Sequence, residues 1–360
     1  MYCIGSFNFR FLNPLCSVIH NGIKLSNIIT HKLISKCLYI HSKTGQLIRL
    51  YICLYDKIAM NKKGFDLMNS LISEEGSNFS PLFQKYGQDL CNLQNIKSCI
   101  LHFYNNIKSC DMNKIAEFNL PYLYEIFSEL DELGHLDVSD DLCQALLRDP
   151  VISSVLPAIY TSYTHFFSLH ETQLARKILA CKEPWKMLES FPLYTRYENM
   201  IKNQVQDSQR IEVLAFIGCG SLPVTLLLLN KLYGIRCIGI DQDPEAVALA
   251  KSCIKHFGLE KEISIVEGDE ISLSGLDWGA VLIAGLAEPK QRIFRNLHSI
   301  IKNRKSESEK SISVCYRDYS GMRQLLYWPV KPEHLKGFRK IQEIYPDGKI
   351  NNTLVFLECE

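Results

Sequence analysis

The chain has no surplus of charge. Its 360 residues carry 40 Lys and Arg against 39 Asp and Glu. No broad basic field is available for phosphates, so nucleic acid is not the expected partner. No uninterrupted apolar run approaches the ~18 residues of a membrane span, although 47% of the residues are hydrophobic, enough to build substantial cores. There is no Cys-x-x-Cys. The 14 cysteines are scattered singly, many inside apolar runs (Cys219, Cys237, Cys253, Cys315), where free Cys behaves as a small hydrophobe. This argues against a disulfide framework. No His/Cys cluster has zinc-site spacing either, so no metal is expected. A reducing, cytoplasmic setting follows. Small-molecule substrates are the expected partners, and self-association as a homodimer is compatible with all of this.

Residues 1–60 have few acids and no sustained hydrophobic period. Arg10 and Asn13-Pro14 interrupt the apolar stretch and no clear small-residue cleavage site follows, which speaks against a signal peptide. Met60-Asn-Lys-Lys reads as a natural start, making 1–60 an over-called or poorly ordered extension. A transit peptide is the alternative, since the segment is basic.

The chain is organised around Glu212-Val-Leu-Ala-Phe-Ile-Gly218-Cys-Gly220-Ser-Leu-Pro223-Val-Thr, followed by Ile238-Gly-Ile-Asp241-Gln-Asp243-Pro244. An apolar run ends in a glycine turn, an apolar helix follows, and a second apolar run ends in an acid. That is the layout of a nucleotide-binding βαβ unit. Gly218 and Gly220 let the backbone turn sharply and approach a ligand. Asp241 lies roughly 20 residues past the turn, where a carboxylate accepts from both ribose hydroxyls. The third glycine of the dinucleotide fingerprint is missing, and Leu222-Pro223 stands in its place. This makes a nicotinamide cofactor a distant reading and favours a nucleoside without phosphates, which S-adenosylmethionine fits.

Residues 61–190 read as a helical N-terminal domain. Leu82-Phe83-Tyr86-Leu90 and Leu93-Ile96-Ile100-Phe103-Tyr104-Ile107 repeat at three and four residues. Leu120-Pro121 is expected to open another helix through Leu130. Asp140 to Leu147, Pro157 to Tyr163 and Phe167 to Leu179 continue the series. Residues 191–210 connect the halves. From 211 to 360, apolar runs at 213–218, 236–241, 262–267, 278–285 and 311–316 alternate with helical stretches at 222–233, 244–257 and 288–302. That pattern predicts a parallel α/β sheet of the Rossmann-like kind. Phe338 to Tyr345 and Thr353 to Leu357, joined through Pro346-Asp-Gly348, predict a closing hairpin. This is the order of class I S-adenosylmethionine transferases. Asn303 to Lys310 reads as a charged, solvated connection.

Phe191-Pro-Leu193-Tyr194-Thr-Arg-Tyr197, the glycine turn and Asp241-Gln-Asp243-Pro244 together resemble the nicotianamine synthase family. So do Ala284-Gly285-Leu286, Arg317-Asp-Tyr-Ser-Gly321-Met-Arg323-Gln-Leu-Leu-Tyr327 and Ile350-Asn351. The likeness covers roughly 70–360. Two departures stand out: Ser221-Leu222-Pro223 where the family has Pro-Leu-Pro, and Leu193 where it has Tyr. The resemblance implies transfer of the 3-amino-3-carboxypropyl group of S-adenosylmethionine onto an amine, with methylthioadenosine leaving. Bacterial relatives use histidine as acceptor in making staphylopine-type metallophores, so the acceptor stays open. A methyltransferase and a non-catalytic binding protein are the competing readings.

An α-amine is mostly protonated at neutral pH, so the reaction needs a base and good positioning. The resemblance points to Glu171 as that base. Tyr194 and Tyr197, one helical turn apart, are candidates to orient the amine or face the sulfonium. Gly218, Gly220 and Asp241 are expected at the nucleoside. Asp243 is expected close behind it, with helix capping as its favoured role. Asp269 is expected at adenine, with turn chemistry as the bland alternative. Gly285 is expected to allow close substrate approach, and Arg317 and Arg323 to clamp carboxylates.

Overall fold

The computed structural model describes residues 92–108, 110–191, 193–205, 211–307, 312–346 and 350–360. All of them belong to one compact unit, Ser77–Glu360. The expectations for 1–60, for the Leu82–Leu90 repeat, for 206–210, for the end of the charged run at 308–310 and for the Asp347-Gly348 turn lie outside the described residues.

Four helices form one layer: α1 (Leu93–Ile107), α2 (Met112–Gly134), α3 (Asp140–Arg148) and α4 (Pro150–Ala180). Side-chain caps start three of them. Asn92 accepts from the Gln94 amide, Ser139 from Leu142, and Asp149 from Val151 and Ile152, satisfying donors that a helix start leaves unpaired. The 3–4 spacing in α1 buries Ile96, Cys99, Ile100, Phe103 and Ile107. Phe103 meets Phe127 edge-on, and Phe127 stacks on Phe166 at 4.4 Å.

Two prolines expected at helix starts lie inside helices. Pro121 is within α2, which begins nine residues before it, and Pro157 is within α4. α4 is thus one 31-residue helix where the sequence suggests separate pieces. Pro157 withholds an amide from the Ser153 carbonyl, but both residues are exposed, so water can take that carbonyl and the helix continues. Its continuity matters. The first half of α4 packs in the helical core through Ile159, Tyr163 and Phe166. The second half packs in the sheet core through Leu174, Ala175 and Ile178. Glu171 falls between the two.

α5 (Pro184–Glu189) and α6 (Tyr194–Val205) lead to a seven-stranded sheet. Its strands are β1 (Val213–Ile217), β2 (Arg236–Asp241), β3 (Ile263–Glu267), β4 (Ala280–Ile283), β5 (Ser313–Asp318), β6 (Phe338–Ile344) and β7 (Thr353–Cys359). The order is β3-β2-β1-β4-β5-β7-β6, with the first five parallel and β7 antiparallel to both neighbours. This is the expected sheet with its closing hairpin. Helices α7 (Val224–Tyr233), α8 (Pro244–Phe257) and α9 (Lys290–Glu307) make the crossovers. α9 runs into the stretch expected as a solvated connection, reaching Glu307. β1, β2, β4 and β5 are buried on both faces, as their continuous apolar runs require, while the edge strand β3 exposes Ser264 and Glu267.

Register places the site. Ile217 pairs with Ile240 on one side and Ile283 on the other, and Ile283 with Tyr316. The next residues, Asp241, Gly218, Ala284 and Arg317, therefore form a row along the carboxyl edge of adjacent strands. β1 lies between β2 and β4, so the strand order reverses there. That is where open α/β sheets take ligands.

Candidate active site

A cleft of about 280 Å³ opens over that row, roofed by α4 and α6. Its floor is the glycine turn. Gly218 and Gly220 have φ of 81° and 68°, a region unfavourable to side chains. The Gly218 and Cys219 amides both donate to the Ile240 carbonyl, at 2.8 and 3.1 Å, which folds the turn back on β2. A side chain on Gly218 would strike Ala287, and one on Gly220 would strike the Glu171 carboxylate. The base candidate on the helical layer thus touches the glycine turn of the sheet. Ser221, one of the two departures noted above, is buried and bonds Thr172 at 3.0 Å, tying the turn to α4.

Asp241 also anchors this turn. One carboxylate oxygen accepts from Gly220 N at 2.8 Å and the other from Asp243 N at 3.1 Å. Asp243 caps α8 through Glu245 N and Ala246 N, the role the sequence favoured, and also lines the cleft. Asp269 caps a short 3₁₀ turn through Ile271 N and lines the same end. Beside it, fully buried Glu270 takes Arg292 through two bonds, at 3.0 and 3.3 Å, and Asn296 at 2.7 Å. This fixes the cleft-lining Arg292.

Glu171 is half-buried. Burial and then the Asp241 charge push its carboxyl from 4.5 up to about 8, with Arg317 opposing. Such a group is poised to take a proton near neutrality. Tyr197 lines the cleft, and burial, then Glu171, raise its phenol, against Arg317. Arg317 is 7% exposed. It donates to Thr225 Oγ1 at 3.0 Å and lies over the Phe216 ring, while its buried Nε has no partner among the described residues. A buried guanidinium with an idle donor is suited to a carboxylate.

Three expected site residues stand elsewhere or act differently. Tyr194 is outside the cleft: its hydroxyl accepts from Lys231 at 3.3 Å, and that lysine pairs with Glu189 at 2.6 Å. Leu193 lines the cleft instead. Arg323 does not line it either, and donates from Nε to the Ile350 carbonyl at 3.0 Å. At Gly285 the space a side chain would need is filled by the Tyr319 hydroxyl, so the tight approach is made by the protein itself.

Several residues that sequence reasoning passed over line the cleft. Tyr319 and Tyr327 stack at 3.5 Å and 7°, and Asn352 donates to the Tyr319 hydroxyl at 3.1 Å. Behind the lining, Lys290, 2% exposed, donates to the carbonyls of Gly285 (2.9 Å) and Ala287 and to Glu288 at 3.1 Å, holding the wall after β4. Arg196 pairs with Asp131 at 3.0 Å. The segments carrying Tyr319, Tyr327 and Asn351 are the ones that carry the family resemblance. That resemblance was the available signal.

The chain is similar to known proteins. A family model described as nicotianamine synthase protein matches residues 99–360. An L-histidine 2-aminobutanoyltransferase of Pseudomonas aeruginosa is 28% identical over 232 residues, spanning 61% of this chain and 82% of that protein. Among solved structures, a glutamate-to-glutamine mutant of MtNAS in complex with S-adenosylmethionine has a TM-score of 0.64 at 28% identity, covering 73% of this chain and 97% of the other. MtNAS in complex with MTA and tNA gives 0.63 at 28%, covering 78% and 99%. With its matched residues running from the first described helix to the last strand, the chain belongs to the nicotianamine synthase family.

Proposed function

We propose that the chain transfers the 3-amino-3-carboxypropyl group of S-adenosylmethionine onto an amine and releases methylthioadenosine. One observation carries the reading: a carboxyl poised near neutrality, Glu171, touches the nucleoside turn while a buried arginine with an idle donor stands in the same cleft. In the step, the amine nitrogen attacks the γ-carbon of the methionine moiety. The carbon–sulfur bond breaks with its electron pair going to sulfur, so the sulfonium leaves as a neutral thioether. Glu171 takes the proton that the nitrogen sheds, and Arg317 holds an amino-acid carboxylate. Tyr197 orients the amine. Gly218, Gly220, Asp241, Asp243 and Asp269 hold the nucleoside. The reading extends to a reducing compartment, supported by described cysteines that are all free. Among the described residues no single helix is long and apolar enough to cross a membrane.

The test is to incubate the purified protein with S-adenosylmethionine, with and without histidine, and to identify products by mass. Methylthioadenosine with an oligomeric product from S-adenosylmethionine alone supports a nicotianamine-type synthase. Methylthioadenosine that appears only with histidine moves the acceptor to histidine, the substrate named for the Pseudomonas relative. S-adenosylhomocysteine would replace the reading with a methyltransferase.

A second expectation concerns Asp241. Its two oxygens hold the turn at Gly220 and the helix start at Asp243. Asp241→Ala removes both supports and the ribose acceptor. Methylthioadenosine affinity should fall at least about tenfold, as loss of a charge-assisted hydrogen bond alone predicts. Calorimetric titration reads it, and an unchanged affinity would place the nucleoside elsewhere.

A further inference from the structure

The cleft holds a second buried polar atom without a partner among the described residues. Asn351 is 4% exposed and lines the cleft. Its Nδ2 donates to Asp131 Oδ1 at 3.4 Å and to the Tyr327 hydroxyl at 3.3 Å. Its Oδ1 has no partner among the described residues.

The amide cannot be turned round to cure this. Asp131 has a carboxylate, which only accepts hydrogen bonds when ionised. Burial, the largest single influence, would raise Asp131, but Arg196, His135 and the Asn351 amide together hold the carboxyl below its ordinary value. Asp131 therefore demands the Nδ2 side of Asn351, and Oδ1 must face the other way. The backbone around it is equally fixed. Arg323 grips the Ile350 carbonyl, Asn352 bonds Tyr319, and Thr353 bonds Ser320 at 3.2 Å. A buried acceptor held this firmly calls for a donor.

The other idle atom of the cleft is a donor, Arg317 Nε. The two residues sit on paired strands or just before one. Arg317 on β5 is opposite Leu354 on β7, three residues after Asn351. An idle N–H donor and an idle oxygen acceptor lining one cleft are the complement of an α-amino acid, with its carboxylate and its amino group.

We infer that Asn351 and Arg317 together read an α-amino-acid end in this cleft. Asn351 Oδ1 accepts an N–H of the amino group, and Arg317 Nε donates to the carboxylate. The inference rests on the transfer reading above and deepens it. It makes Asn351 a substrate-binding residue and Asp131 with Arg196 the positioning pair that sets its amide. The amino-acid end has two sources, the methionine moiety of S-adenosylmethionine or the acceptor.

The test compares each ligand with its desamino analogue, by dissociation constant. S-adenosylmethionine is titrated against its desamino form. Histidine is titrated against imidazolepropionate with methylthioadenosine present. The protein, Asn351→Ala and Asp131→Asn are compared. The unaltered protein should prefer the amino form of at least one pair about tenfold, the scale of one hydrogen bond to a charged group. In Asn351→Ala that preference should fall to within about twofold of none, and Asp131→Asn should reduce it by releasing the amide. The pair that responds identifies the source. A merely structural role would weaken amino and desamino forms alike and leave the ratio standing, which overturns the inference. So does a flat ratio for both pairs in the unaltered protein, a result that needs no variant to fold. Release of methylthioadenosine alongside a flat ratio would sink this inference while leaving the transfer reading intact. Absence of release would sink the transfer reading whatever the ratios.

Discussion

Glu171→Gln should lower kcat/KM for methylthioadenosine release by about 10²- to 10⁴-fold, the usual contribution of a positioned general base. Glutamine keeps the shape and fills the space against Gly220, but it cannot accept the proton. Binding of methylthioadenosine should change far less, because the turn rests on Asp241 and its own backbone bonds. The unaltered enzyme should show a rate that rises with pH through about 8, since Glu171 as the proposed base would act only when ionised and its carboxyl is pushed up to about 8. The variant should lose that limb. A variant with unchanged turnover would remove Glu171 from the chemistry.

The same residue makes an opposite prediction for stability. In the unfolded chain Glu171 titrates near 4.5, and in the folded protein near 8. Between these values the folded state holds the extra proton, so stability falls as pH rises through that window. Above about 8 the folded protein carries a charge that burial and Asp241 oppose. Glu171→Gln escapes this. Its melting temperature should exceed that of the parent by a few degrees at pH 8.5, at about 2–4 °C per kcal/mol for a protein of this size. The gap should close near pH 4.5. An activity loss joined to a stability gain is the signature of a residue strained for function.

Gly285→Ala is expected to have the second large effect, for a steric reason alone. Gly285 has no positive φ. Its new methyl would overlap the Tyr319 hydroxyl and lie 2.8 Å from the ring carbon that bears it. Tyr319 cannot swing away freely, because it is stacked on Tyr327 and bonded by Asn352. The backbone of Gly285 is itself held by Lys290. Overpacking of this kind costs about 1–3 kcal/mol, or several degrees in melting temperature. Transfer activity should fall with it, since the displaced tyrosines share the cleft with Arg317 and Asn351. Gly275→Ala serves as the control. A side chain there meets nothing within 4 Å, and its melting temperature should stay within about a degree of the parent. Equal effects from both substitutions would refute the tight contact with Tyr319.

The sheet and its crossovers were legible in the chain because buried parallel strands are continuous apolar runs and the helices between them are marked by local chemistry. Pro244 and Asp243 open α8, and Gly234 and Gly258, both at positive φ, close α7 and α8. The glycine turn was legible for the same reason. Gly218, Gly220 and Asp241 are placed by two strands whose separation in sequence is short and whose register is forced by burial. Glu171 was indicated by family resemblance and not by its own surroundings.

What the sequence by itself determined was therefore local: which segments are strands, where a glycine turn meets an acid, and that a nucleoside without phosphates suits it. Tertiary structure alone decided the rest. Whether Pro157 breaks α4 depends on which side faces water. That Tyr194 turns toward Lys231 while Leu193 lines the cleft depends on how α6 rolls onto α7. That Gly285 exists for Tyr319, that Arg323 serves the Ile350 carbonyl, and that Asn351 is oriented by Asp131 across 220 residues of chain are all long-range contacts. Neither spacing nor period encodes them, because the partners meet only when segments distant in sequence pack together.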